Sequence, residues 1–438
     1  MTKEREAKLL GPWMSTAMVM GYMIGSAIFL LPATLAPYGV NALIAWGVTI
    51  GGTMCLALAL SRLAARNPGG PQSYVQEAFG PTAAYFIMWM YWVSVFTSTA
   101  GIAVAFGGAA SATLGVGATW VVPLAVIAIF LVTAINLRGV HSAGEFQVAT
   151  TLIKLLPLLA VMLVLAFRVG SGQPTEALAP IPVSANSVAT ASALILFSLV
   201  GFEAATVAAR KTRDPERIVP LATLAGTGAT GLLYFFSCTA AMLLLSYTVA
   251  PHSTSPFADA IGPTLGAGVG RAVAALTAVS AIGALNASVL IQGEIGQQLA
   301  QAGDLPRIMA RGNARLAPTV SLIVTCIISA LFVSTNASRS FVGLYVFITL
   351  ISTVASLVFY ACGAVAALKL RLGGITQILI VVGLLYAIWT FYGAGLEATA
   401  WALSLLAAGL PVLLISRWLN GSSPAAETNP AAPPESAS

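Results

Sequence analysis

Gly21-Tyr22-Met23-Ile24-Gly25-Ser26-Ala27-Ile28-Phe29-Leu30-Leu31-Pro32 lies inside the first long apolar stretch, about residues 13–35, where an unbroken membrane helix is the default. Gly21 and Gly25 sit four apart, Ser26 and Ala27 follow, and Pro32 has no backbone donor. Each glycine weakens a helix by roughly 1 kcal/mol relative to alanine. Unwound backbone at membrane depth is tolerated only where protein or a water-filled cavity covers it. A break here frees N–H groups at the head of the second half-helix, an anion site. The plainer reading makes Gly21 and Gly25 a small-residue packing face.

The chain around this stretch is that of a polytopic membrane protein. Of 438 residues, 58% are hydrophobic and 8% charged, against about 25% charged in soluble domains. The net charge of +6 does not indicate nucleic acid, because the basic residues are scattered between apolar segments. Cys55, Cys238, Cys326 and Cys362 all lie in apolar runs, so no disulfide framework or zinc site is implied. His141 and His252 are far apart, which argues against histidine catalysis or a metal centre. Phosphate-binding glycine loops, paired catalytic carboxylates and pore-filter signatures are absent, so the expectation is no catalytic residue, no cofactor and no metal.

Hydropathy gives about twelve spans, at roughly 13–35, 40–62, 83–113, 119–137, 146–168, 188–208, 218–246, 268–300, 317–335, 341–368, 373–392 and 396–416. Lys3, Arg5 and Lys8 precede the first, which reads as an uncleaved helix. Arg62, Arg66, Arg138, Arg210, Lys211, Arg213, Arg217, Arg307, Arg311, Arg315, Lys369, Arg371 and Arg417 fall on the side of the N-terminus; Arg168, Arg271 and Arg339 fall opposite. Both termini are therefore expected in the cytoplasm. The reading divides the chain into residues 1–12, a transporter domain over 13–418, and a Pro-, Ala- and Ser-rich disordered tail over 419–438. The breaker-rich loop Asn67–Tyr74 is turn chemistry, followed by a short interfacial helix over Val75–Phe79.

Two ionisable residues lie at membrane depth, where a charge is costly and marks function or a structural bond. Lys154 sits in the fifth span and either works in transport or ties down the carbonyls of a broken neighbour. Glu203 follows Gly201 and Phe202 in the sixth span, a second candidate break five spans after the first. That spacing fits an inverted repeat of five plus five helices with the site between two discontinuous helices. Asn286 and Ser288 in the eighth span, and Ser94, Thr97, Ser98 and Thr99 in the third, could supply polar pocket groups or helix–helix bonds.

Gly25-Ser26-Ala27-Ile28-Phe29 with Leu31-Pro32, Pro68-Gly69-Gly70 with Ser73-Tyr74, Phe197-Ser198 through Glu203, and Asp214-Pro215-Glu216-Arg217 with Pro220 together resemble motifs of the amino acid–polyamine–organocation superfamily, in its basic amino acid/polyamine antiporter group. The resemblance runs over all twelve spans. It implies an all-α integral-membrane, LeuT-like fold, repeated over about 13–168 and 188–368 with helices 1 and 6 discontinuous, and then two more helices. It further implies alternating access around an α-amino acid, a lipid bilayer as setting, the inner membrane as location, and a homodimer as the habit of relatives.

Carried over by position, Gly25, Ser26 and Ala27 would hold the substrate carboxylate, carbonyls of Met23, Phe197 and Val200 the ammonium, and Phe197 would act as lid. Ala27 replaces the motif's second glycine. Phe197 stands where the arginine/agmatine exchangers have tryptophan, and Thr99 and Ser288 where they have asparagine and tryptophan. Lys154 resembles the fifth-helix lysine of the branch that carries neutral amino acids, where it takes the place of a sodium ion. The expectation is thus a sodium-independent, proton-linked permease or antiporter for neutral amino acids, with Lys154 and Glu203 as gating or proton-coupling groups. The alternatives are an arginine/agmatine-type exchanger and a non-transporting amino acid sensor.

Overall fold

In the computed structural model the first apolar stretch is two helices, α1 (Pro12–Met23) and α2 (Ala27–Leu35). Their axes bend by 53° at the break, taking α2 together with the turn that follows it. The structure describes residues 11–25, 27–67, 70–138, 153–203, 206, 212, 214–312, 317–371 and 375–420. Ser26, His141, Lys3, Arg5, Lys8, Arg210, Lys211, Arg213, Arg315 and residues 421–438 lie outside them.

Every regular element among the described residues is helical. After α2 come α3 (Val40–Arg66), α4 (Pro71–Phe79), α5 (Pro81–Leu114), α6 (Val121–Leu137), α7 (Leu155–Gly170) and α8 (Ala185–Leu199). Then follow α9 (Pro215–Leu244), α10 (Pro256–Leu265), α11 (Ala267–Gln301), α12 (Thr319–Thr335), α13 (Phe341–Lys369), α14 (Ile375–Gly393) and α15 (Gly395–Asn420). Eight of these are long and apolar enough to cross a membrane; the bent pair α1–α2 and the shorter α7, α8 and α12 complete twelve apolar segments in the order hydropathy gives. The two breaks fall in the first and sixth segments, as a five-plus-five repeat requires.

Helix boundaries follow local chemistry. Proline opens α1, α4, α5, α9 and α10, where a missing N–H costs nothing. The Ser184 hydroxyl caps α8 by accepting the Ser187 N–H, and Ser340 caps α13 through the Gly343 N–H. α4 starts at Pro71, four residues before the helix expected over Val75–Phe79, because Gly70 (φ +94°) turns the chain and Pro71 begins the helix.

α5 is the most buried of these spans: 83% of its apolar window is buried, against 22% for α15, which lies at the outside of the bundle. It packs on α11 and α13, while α9 packs on α1 and α3. Small residues permit close approaches between α5 and α6 and between α14 and α8. A Cβ on Gly107 of α5 would lie 2.2 Å from the Val121 carbonyl oxygen, and one on Gly393 of α14 would lie 2.1 Å from that of Ala189 in α8.

Candidate functional site

Where α1 stops, its last carbonyls and the next N–H are held from behind. The Tyr234 hydroxyl of α9 donates to the Met23 carbonyl at 2.8 Å and accepts from the Gly25 N–H at 3.3 Å. The Tyr345 hydroxyl of α13 donates to the Ala27 carbonyl at 3.0 Å. Lys154, 1% exposed at the head of α7, points its Nζ at the Gly21 carbonyl, 3.5 Å away. That places an ammonium at the C-terminal, negative end of α1. A methyl added to Gly25 would lie 3.4 Å from the Ala284 Cβ, an ordinary contact, so tight packing does not explain its glycine.

The second break follows α8. Val200 leaves the helix with ψ 139°, and Gly201 adopts φ +111°, which only glycine takes without strain. A side chain there would also meet the Tyr22 ring at 2.9 Å. Glu203, 3% exposed, closes the turn on itself: its Oε2 accepts from the Gly201 N–H at 3.1 Å and from the Tyr360 hydroxyl at 3.0 Å. Its Oε1 accepts from the Tyr91 hydroxyl at 3.2 Å. The carboxylate thus links α5, the broken segment and α13. The stretch after Glu203, apart from Thr206, up to Lys211 lies outside the described residues.

Between the two breaks lies a cavity of about 80 Å³. Of the residues expected in the site, Met23, Gly25, Ala27, Phe197, Val200, Ser288, Lys154 and Glu203 line it. Thr99 does not; it is fully buried one layer back, its hydroxyl 2.7 Å from that of Ser288. Ser26 lies outside the described residues. Phe197 forms one wall, edge-on to Tyr345 at 6.2 Å between ring centres. The tyrosines at positions 91, 234, 345 and 360 are what sequence reasoning missed. Only tertiary contact brings the hydroxyls of Tyr234 and Tyr345 to backbone carbonyls, and those of Tyr91 and Tyr360 to the Glu203 carboxylate, far away in the chain.

Three serine hydroxyls at the cavity, those of Ser94, Ser198 and Ser288, have their protons engaged with the protein. Ser94 donates to the Tyr91 carbonyl and Ser198 to the Ile195 carbonyl, each at 2.7 Å. Thr99 donates to the Val95 carbonyl at 2.9 Å, so in the Thr99–Ser288 pair Ser288 is the donor. With one proton each, these serines turn lone pairs to the cavity.

A broken first helix and a sixth segment that leaves its helix at Val200–Gly201, both lining one small cavity inside a bundle of twelve apolar segments, are the arrangement of a secondary transporter. The chain belongs to the amino acid permease family, whose model matches residues 10–410. It is similar to a Bacillus subtilis (strain 168) protein named "Putative arginine/ornithine antiporter", 29% identical over 85% of this chain and 86% of the relative. It is also similar to the putrescine transporter PotE of Escherichia coli (strain K12), 24% identical over 90% of this chain and 93% of that one. A third relative, the cadaverine/lysine antiporter of Escherichia coli (strain K12), is 28% identical over 73% of each chain. The protein is a multi-pass membrane permease for amino acids or polyamines, and not an enzyme.

Proposed function

We propose that the protein exchanges cationic amino acids and amines across the bacterial inner membrane by alternating access. The observation that carries this reading is a group of acceptors on the cavity wall. Ser94, Ser198 and Ser288 have their protons engaged with the protein, and the Glu203 carboxylate and carbonyls of the broken helices add further acceptors. Ammonium and guanidinium groups carry donors and no acceptors, so this wall suits them. The names of the relatives, built on arginine, ornithine, putrescine, cadaverine and lysine, support the same reading. The neutral substrate expected from the sequence gives way to the basic alternative, because the relatives' names give basic amino acids and polyamines.

An amino acid would lie with its carboxylate toward the head of α2, where the helix dipole is positive, and its ammonium toward the carbonyls of Met23 and Val200. Lys154 stays on the α1 carbonyl end and does not compete for the substrate's charged tail. A cavity of about 80 Å³ is small against the ~300 Å³ at which ligand pockets begin. Binding therefore needs the two breaks to part, and the Tyr91–Glu203–Tyr360 bonds are the ones placed to yield. The basic residues at the helix ends support a cytoplasmic location for both termini.

The experiment is counterflow in proteoliposomes loaded with arginine, agmatine, lysine, putrescine, leucine, alanine or serine, with labelled arginine, leucine, alanine or serine outside in separate runs. Trans-stimulation by the cationic set is expected. Ser288→Ala should raise the KM for arginine roughly 10-fold, the effect of losing one hydrogen bond to a charged group. Stimulation by leucine or alanine with arginine inert would refute the proposal, and saturable binding without flux would make the protein a sensor.

A further inference from the structure

At the end of the bundle where α5, α7 and α9 finish and α11 begins, away from the transport cavity, lies a second crevice of about 680 Å³. Four charged side chains line it: Arg168 from the last turn of α7, Glu176 in the loop that follows, Asp259 on α10 and Arg271 early in α11. Two cations and two anions share one space, yet among the described residues none of the four forms an ion pair with another. Asp259 accepts a hydrogen bond from the Ser253 hydroxyl. Among the described residues the Nε of Arg168 has no acceptor, and guanidinium forks match phosphate oxygens in pairs.

The surroundings indicate how such a group arrives. Leu163, Phe167 and Val169 on α7 are exposed by 70%, 60% and 58%, and Val269 beside Arg271 by 41%. On a membrane-spanning bundle, exposed apolar side chains below charged helix ends meet acyl chains, while the charges sit at headgroup level. The ligand that fits both halves is an amphiphile whose head carries both an oxyanion and an ammonium. A head with phosphate alone would leave Glu176 and Asp259 facing it with like charge.

We propose that this crevice binds the headgroup of an aminophospholipid from the leaflet on that side, its phosphate against Arg168 and Arg271 and its ammonium against Glu176 and Asp259. The acyl chains run along the exposed face of α7. The same ammonium–phosphate chemistry exists in soluble phosphoethanolamine, and the test separates the two sources.

Full-length protein in delipidating detergent is titrated with phosphatidylethanolamine, phosphatidylglycerol or soluble phosphoethanolamine, and bound molecules are counted by native mass spectrometry. Wild-type protein should retain one phosphatidylethanolamine in preference to phosphatidylglycerol. Arg168→Gln/Arg271→Gln should lower its occupancy at least tenfold, and Glu176→Gln/Asp259→Asn should reverse the preference toward phosphatidylglycerol. Counterflow in vesicles of fixed lipid reports folding, because none of the four residues touches the transport cavity. If the glutamine pair does not fold, Arg168→Lys/Arg271→Lys keeps the charge, loses the paired geometry, and should still lower occupancy several-fold. Binding of phosphoethanolamine without lipid would keep the chemistry and make the source a solute. Equal occupancy in wild type and both variants, or wild-type indifference to the amine, would overturn the proposal.

Discussion

Tyr234→Phe removes one oxygen from the back of the first helix break and tests whether that break is held from behind. The hydroxyl serves two backbone groups, donating to the Met23 carbonyl at 2.8 Å and accepting from the Gly25 N–H at 3.3 Å. Gly25 borders the cavity, so water can replace the lost acceptor there. Met23 is 3% exposed, and its carbonyl loses the partner on its buried side. Leaving one buried acceptor unsatisfied costs about 1–3 kcal/mol, a factor of roughly 5–150 in an equilibrium. The comparison is Tyr74→Phe: Tyr74 is equally enclosed on α4, but its hydroxyl is buried with no hydrogen-bond partner among the described residues. Removing it should leave stability unchanged or slightly raised. Reversible unfolding in mixed micelles measures the free-energy difference, and equilibrium binding of labelled arginine measures the site. Tyr234→Phe should lose stability in the stated range and bind more weakly, with Tyr74→Phe matching wild type on both. Equal losses in the two variants would refute the argument that the hydroxyl, and not the ring, fixes the break.

Lys154→Ala leaves the Gly21 carbonyl without its ammonium and should abolish counterflow while membrane insertion stays normal; undiminished exchange in vesicles removes Lys154 from the mechanism. Gly393→Ala drives a methyl to 2.1 Å from the Ala189 carbonyl oxygen and should destabilise by about 1–3 kcal/mol, whereas Gly47→Ala, with open space around it, should not, as thermal unfolding of the two will tell. Asp304, in the loop after α11, has its carboxyl pushed up from 3.8 to about 6 by burial, with the Arg417 guanidinium opposing. A raised folded-state value means the stability is full below about 4 and declines as pH rises through about 6. Melting curves between pH 4 and 7 should therefore show a decline that Asp304→Asn abolishes; an identical slope in both proteins would place the titration elsewhere.

Much of the architecture was legible in the residues. A membrane allows few backbone solutions, so twenty apolar residues between basic loops already mean a helix, and the observed segments begin and end close to the hydropathy limits. The breaks were legible too, because Gly25 with Ser26 and Gly201 with Glu203 combine weak helix formers with a polar group where lipid forbids one. The resemblance carried by those motifs named the family before any contact was known. Substrate polarity was not legible. Reading Thr99 and Ser288 as losses relative to other transporters points to neutral amino acids, whereas the similar proteins are named for basic amino acids and polyamines.

The sequence by itself determined that this chain crosses a membrane about twelve times, where two of its helices break, and which family it joins, because each of these depends on local composition and spacing. Tertiary structure alone decided that Tyr234 and Tyr345 hold the first break, that Tyr91 and Tyr360 hold Glu203 at the second, and that Thr99 stands behind Ser288. Those bonds join residues up to 318 positions apart. No local pattern encodes them; the packing of α5, α9, α11 and α13 around the breaks brings the partners together.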